Sequence, residues 1–295
     1  MQVCGPEDSQ LDSGGNFGEP LILAAFTEAS HFGQTRAVQN DTLNDIAAAL
    51  IAARRSGIAA DEIPWKDTPL TPDDVYALQE HIAAELGWAD DPDAPGTWKG
   101  GGPTASSVAT FAQLPAAWVR PSPGRFDAKD FHKLGIEIEV AFRLARDVTA
   151  IDLAARAVHE PAALFDAMAV SIELVDFRWK GEAQAPALLR LVDLQSNGAL
   201  VLGEWVPIRP VDWAAQVATL RVDGKQVGRY QGAHPCGDPM WMAPQWLQHA
   251  VARHDRLAAG SVLTTGSWCG MVWLDGPAEV HAAFDGIGEA LLTLV

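Results

Sequence analysis

The stretch GIEIEVAFRLARD, residues 135–147, constrains the fold more than any other part of the chain. Charged and apolar residues alternate through its first half, which is the period of a β-strand. As a strand, it puts Ile136, Ile138, Val140 and Phe142 on one face and Glu137 and Glu139 on the other. Two like charges side by side on one face have two explanations. They are the wet side of a half-buried antiparallel sheet, or they hold a cation. A second run, SIELVDF at 171–177, sets Glu173 among apolar residues. A carboxylate is costly there unless it is paired or bound to a metal. Glu173 is therefore a candidate third ligand. Asp176 competes for that place but, in a strand, faces away from Glu173. Three glutamates alone would repel one another. With a hard divalent cation such as Mg²⁺ or Mn²⁺ they leave a net charge of about −1 and open coordination positions for a substrate.

Composition removes several function classes. The chain has 295 residues, 48% of them apolar, which is enough to bury a large core. A formal net charge of −17 and a pI near 4.7 argue against nucleic acid and anionic membranes as partners, since phosphates need a basic face. Cys4, Cys236 and Cys269 include no C-x-x-C pair, so neither a disulfide framework nor a zinc ribbon is expected, and a reducing cytoplasm is the natural setting. The apolar runs fall well short of a membrane span, and the N-terminus lacks the pattern of a secretion signal.

An α+β fold is expected, with a flexible segment over 1–18, a helical portion over 19–90 and a β-rich catalytic domain over 91–295. The first helix is expected at 42–57, capped by Thr42 and ended by Gly57. The second is expected at 71–87, with Thr71 as cap, Pro72 in the first turn and Val75, Leu78, Ile82 and Leu86 as its apolar stripe. The Pro-, Gly- and Asp-rich residues 88–107 read as a loop. Strands are expected within 136–142, 171–177, 198–206, 218–224, 261–268 and 278–288, interrupted by helices near 161–169 and 242–254.

Several segments in fixed order carry a resemblance: LTPDDVYALQ (70–79), GIEIEVAFRLARD, VSIELVDFR (170–178), LQSNGALVLG (194–203), GAHPCGDPMWMAPQWL (232–247) and SVLTTGSWCG (261–270). Together they resemble the 2-keto-4-pentenoate hydratase / 4-oxalocrotonate decarboxylase group of the fumarylacetoacetate hydrolase superfamily. The resemblance implies a mixed β-roll with flanking helices and a helical N-terminal portion, usually assembled as a homo-oligomer. It implies Mg²⁺ or Mn²⁺ held by Glu137, Glu139 and Glu173, with Lys99 as the catalytic lysine. It implies a small-molecule 2-oxo acid as substrate, with Gln195, Ser196, His234 and Thr265 as substrate-binding candidates. For Lys99, the competing reading is a solvated side chain in a Gly-rich loop. For His234 and Thr265 it is ordinary turn packing, and for Arg178 an ion pair with Asp176 or Asp193.

The chain also departs from the group. GGGPTASSVATFAQLP stands where the group has an Ile-Gly-Leu-Thr-Ser-like run, and Asp193-Leu194-Gln195-Ser196 stands where it has an Asp-Asn-Ala-Ser-like run. Trp98, Trp179, Trp241, Trp246 and Trp268 crowd these segments, as core, interface or substrate wall. The expected activity is that of a metal-dependent lyase, first a hydratase acting on a 2-hydroxydienoic acid. The alternatives are decarboxylation of a 2-oxo-3-enedioate, C–C hydrolysis of an acylpyruvate with His132 as part of a base, and a non-catalytic relative.

Overall fold

The structure is a computed structural model that describes residues 35–88, 91, 94–154 and 161–295. The segment 1–18, expected to be flexible, lies outside the described residues. One compact unit runs from Asn40 to Val295.

The expected mixed α+β roll is found. Nine strands form the larger sheet. Its path runs 110–114, 97–101, 262–264, 135–144, 165–175, 197–202, 119–121, with 272–273 and 206–207 on its flanks. Most neighbours are antiparallel; 97–101 with 262–264 and 119–121 with 197–202 are parallel. A second sheet runs 225–231, 217–222, 278–284, 288–294, 124–126. The sheets share one apolar core, in which Ile138, Val140, Phe142, Ile172, Leu220 and Phe284 are buried. At Gly203 their backbones nearly touch. A Cβ there would lie 2.3 Å from the Glu289 carbonyl and 3.0 Å from that of Val170.

The E-x-E strand spans Gly135–Leu144 and pairs along its whole length with Phe165–Val175. That pairing corrects the helix expected at 161–169. Only Pro161–Leu164 turns as a 3-10 helix, and Phe165 opens the strand. Ala, Leu and Met favour helix locally, but ten ladder partners on the Gly135–Leu144 strand override that preference. The loop expected over 88–107 is also corrected, because Thr97–Gly101 is a central strand with neighbours on both sides. Strand Lys225–Gln231, unforeseen from sequence, forms a hairpin through Asp223 and Gly224, both at positive φ.

Helix Pro72–Glu85 begins as expected, with a capping box between Thr71 and Asp74. The first helix is longer than expected, Thr35–Ser56, so Thr42 is an interior residue and not its cap. Nothing in TRAVQND breaks a helix, since the run has neither Gly nor Pro. These two helices pack Ile46, Leu50, Val75, Leu78 and Ile82 against Trp179, Leu189 and Val192 in a second apolar cluster. Among the described residues no helix is long and apolar enough to cross a membrane.

A buried ion network ties the first helix to the end of the Phe165–Val175 strand. Arg54 Nη2 donates to Asp193 Oδ1 at 3.0 Å, and Arg178 Nε donates to the same oxygen at 2.7 Å. Arg178 also reaches Asp176, at 3.2 Å, so it joins both carboxylates between which the sequence left the choice open. His132 Nδ1 lies 3.0 Å from Asp176 Oδ2, while the N–H groups of His132 and Lys133 donate to Oδ1. Burial works against the Asp176 charge; the His132 bond and the Arg178 charge outweigh it and hold the carboxyl below the usual range.

Candidate metal and active site

The strand pairing assembles three carboxylates. Glu137 stands directly opposite Glu173, and Glu139 follows two residues on along the same face. Each of the three offers an oxygen within 4.8 Å of the others. Glu139 and Glu173 are at most 1% exposed, which rules out the wet-face explanation. Oε2 of both has no hydrogen-bond partner. Burial, with the neighbouring carboxylates adding to it against the pull of Lys99, pushes Glu137 up to about 8. Burial, then the Glu173 charge, pushes Glu139 up to about 7.

Lys99 is the counter-charge. It lies on the central strand Thr97–Gly101 and is buried, so the solvated reading does not hold. Its Nζ donates to Glu173 Oε1 at 2.5 Å and to the Gln195 carbonyl at 3.1 Å. Burial alone would lower its pKa, but Glu173, Glu137 and Glu139 outweigh burial and hold the ammonium charged. Three carboxylates against one ammonium leave an excess of two negative charges if all are ionised. Buried groups in excess of their partners demand a cation or a proton. Converging oxygen ligands with orphaned lone pairs suit a hard divalent ion. The residues present therefore fit Mg²⁺ or Mn²⁺, with Glu137, Glu139 and Glu173 as the holding groups.

The sequence did not reveal three further side chains. Asn197 Nδ2 donates to Glu173 Oε1 at 3.0 Å and holds that carboxylate without adding charge. Ser171 is paired opposite Glu139, and Thr264 opposite Ala141, so both lie on the carboxylate face. The Ser171 hydroxyl is buried without a partner, and the Thr264 hydroxyl lies toward Glu139. The only sequence signal for them is parity: each is in register with the glutamate face once the pairing is known.

The expected substrate-binding residues fall into two groups. Gln195 lies beside Lys99 through its carbonyl, and Ser196 follows it in the chain. The Gln195 amide donates to the Thr110 carbonyl and hydroxyl, at 2.9 and 2.6 Å, so its side chain is committed within the protein. Leu194, Gln195 and Ser196 all have positive φ, between 52° and 63°, an unusual run for residues with a Cβ. Their neighbours hold them there. Asp193 is gripped by two arginines, and the Ser196 carbonyl accepts the Asp176 N–H at 2.9 Å.

His234 and Thr265 form the second group. His234 Nε2 donates to the Thr265 carbonyl at 2.8 Å, and Nδ1 accepts the Cys236 N–H at 3.3 Å. Burial lowers the His234 pKa, and both ring nitrogens are in use. The Thr265 hydroxyl donates to the Val140 carbonyl at 2.7 Å. The pair stabilises the turn whose next residue, Gly266, presents its N–H toward Glu139. His132 belongs to the ion network and not to the carboxylate group. Of the tryptophans, Trp98, Trp179, Trp246 and Trp268 are core residues and Trp241 is half-buried.

A sequence profile described as "Fumarylacetoacetate (FAA) hydrolase C-terminal" matches residues 74–295. The chain belongs to the fumarylacetoacetate hydrolase family. It is 32% identical, over 163 residues, to a 2-keto-4-pentenoate hydratase of Burkholderia vietnamiensis (strain G4 / LMG 22486). That match covers 54% of this chain and 59% of the relative, so it spans about three fifths of the curated protein. The fold is similar to 4-oxalocrotonate decarboxylase from Pseudomonas putida G7. The TM-score is 0.72 to its complex with magnesium and adipate and 0.71 to its complex with calcium and acetate. Both likenesses cover 87% of this chain and 98% of the other at 15% identity, a likeness of fold.

Proposed function

We propose that this chain is a divalent-metal-dependent lyase that adds water to a 2-hydroxydienoic monoacid, in the manner of a 2-keto-4-pentenoate hydratase. The observation that carries the reading is the buried, charge-deficient carboxylate group with Lys99 against it. Glu137, Glu139 and Glu173 would hold Mg²⁺ or Mn²⁺. Bound there, the ion would supply positive charge for the carboxylate and C2 oxygen of a 2-oxo acid.

The chain's own residues would do the rest. Lys99 stays charged and sits beside Glu173, where it would stabilise negative charge growing on the substrate oxygens. Asn197 and the Gln195 carbonyl would keep Glu173 and Lys99 in place. Gln195, Ser196, His234 and Thr265 would shape the pocket through their backbone and turns. In the reaction the C2 hydroxyl of the dienol loses its proton and a proton goes to C5, giving a 3-en-2-oxo acid. The hydroxyl of water then joins C4 and a proton joins C3, giving a 4-hydroxy-2-oxo acid.

A monoacid is favoured over a dioate by the supply of donors. Among the described residues, Lys99 is the cation that acts on Glu137 and Glu139, and the Gln195 amide is committed to Thr110. A second carboxylate at the far end of a substrate would find no second cation among the charges that act on Glu137 and Glu139. C–C hydrolysis is disfavoured because His132 sits in the Asp176 network and is not among the groups that act on Glu137 and Glu139. The same reading carries a homo-oligomer working in the cytoplasm, with 91–295 as its catalytic part.

The test is turnover of 2-hydroxypenta-2,4-dienoate with Mg²⁺ or Mn²⁺ by the parent and by Glu139→Gln, with the product identified. Metal-dependent 4-hydroxy-2-oxopentanoate, absent in the variant, is the expected result. Metal-dependent CO₂ release from a 2-oxo-3-enedioate without hydration would replace this reading by the decarboxylase. Metal binding with neither reaction would replace it by a non-catalytic relative.

A further inference from the structure

Strand Thr97–Gly101 has two faces, and only one of them meets the carboxylates. Lys99 points to the carboxylates, so Trp98 points the other way. Behind it lies a cavity of about 200 Å³. Its walls come from helix Pro72–Glu85, helix Ala243–His254, the strands Thr97–Gly101 and Thr110–Leu114, and Leu194.

The walls are rings. Tyr76 and His249 stand 4.4 Å apart between centroids, and Trp98 presents an edge-on contact to His249 at 6.0 Å and to His254 at 5.6 Å. Burial, with help from Arg253 and His254, pushes His249 down to about 4, so its ring is neutral, and its Nε2 has no partner. The charge at the rim is already paired, with Arg253 Nε donating to Glu80 at 3.0 Å. Edge-on and offset ring contacts are the arrangement aromatic guests favour, and an apolar cavity of about 150 Å³ is known to take up benzene.

Two wall residues adjoin the candidate active site in the chain. Trp98 precedes Lys99, and Leu194 precedes Gln195. Lys99 Nζ donates to the Gln195 carbonyl at 3.1 Å. A guest that displaces Trp98 therefore moves one end of that hydrogen bond, and one that displaces Leu194 moves the other.

We propose that this cavity is a second small-molecule site, for an uncharged compound built on a single aromatic ring, and that its occupancy alters the affinity of the carboxylate group for its cation. The proposal does not depend on which reaction the carboxylate site performs.

Phenol is the probe, titrated by calorimetry into the full chain with and without Mn²⁺ and with excess oxalate. One saturable site per chain is expected, unmoved by oxalate, together with a change in Mn²⁺ affinity of about twofold or more. Ala83→Phe, which places a ring into the cavity from the helix, is expected to weaken phenol about tenfold or more at unchanged fold. Ala83→Leu fills less, is expected to weaken it by a smaller factor, and serves if the larger side chain unfolds the protein. The proposal is overturned by the absence of saturable binding, by displacement with oxalate, or by affinity that neither variant lowers. Benzoate binding more tightly than phenol would overturn the uncharged class. Phenol binding with Mn²⁺ affinity unchanged would overturn the coupling.

Discussion

Two groups of buried charges lie within a few residues of each other along the chain, and they are built on opposite terms. In the ion network, Arg54 and Arg178 face Asp176 and Asp193, two charges against two, and each of the four side chains is paired with one of opposite sign. In the carboxylate group, three acids face Lys99, and two carboxylate oxygens and the Ser171 hydroxyl nearby have no partner. The first group balances its arginines and aspartates as it stands. The second is complete only with two more positive charges, and a buried deficit of that kind marks a binding site more strongly than the presence of acids does.

The largest expected effect tests the balanced group. Asp193→Asn leaves two buried arginines sharing one acid, and should cost about 3–5 kcal/mol of stability, read by urea unfolding. A loss under about 1 kcal/mol would place the network among the weak surface pairs. Removing an acid from the incomplete group should act in the other direction. Glu139→Gln relieves repulsion, so the metal-free chain should gain about 1–3 kcal/mol in the same assay at pH 8, while Mn²⁺ affinity falls about 100-fold or more. If the variant is destabilised without metal, the two groups are not opposites.

The pH dependence separates them further. Glu137 and Glu139 are raised from 4.5 to about 8 and about 7, so the folded metal-free chain binds more protons than the unfolded one in that window. Their contribution to stability is therefore present below about pH 4.5 and lost as the pH climbs through 7 to 8. Melting curves of the metal-free chain should show that decline, and saturating Mn²⁺ should flatten it, because the ion takes the place of the protons. Mn²⁺ affinity should accordingly rise with pH up to about 8. The smallest effect is expected for Asn197→Ala, which removes one of the two donors to Glu173 Oε1 and should weaken Mn²⁺ about tenfold at unchanged melting temperature.

Glu137, Glu139 and Glu173 were legible because a charge inside an alternating apolar run has few explanations, and the alternation itself assigns the face. Lys99 was reached through family resemblance, and its setting was misjudged. TWKGGG looks like a loop by composition, and it is a strand because its neighbours on both sides supply the ladder. The strand opening at Phe165 was hidden in the same way behind helix-favouring residues. Asn197, Ser171 and Thr264 could not be found at all, since their role depends on register between strands far apart in sequence. The cap at Thr71, in contrast, is a local interaction over three residues and was read correctly.

Residues Asp193 to Asn197 show what such a dense arrangement implies for the history of the chain. In sequence, Asp193 holds two arginines, Leu194 lines the rear cavity, the Gln195 carbonyl receives Lys99, the Ser196 carbonyl receives Asp176, and Asn197 holds Glu173. Five consecutive positions carry five different partners. A point substitution here would disturb one of them, but the insertion or deletion of a single residue would reassign all five at once. This segment should therefore tolerate changes of letter far better than changes of length.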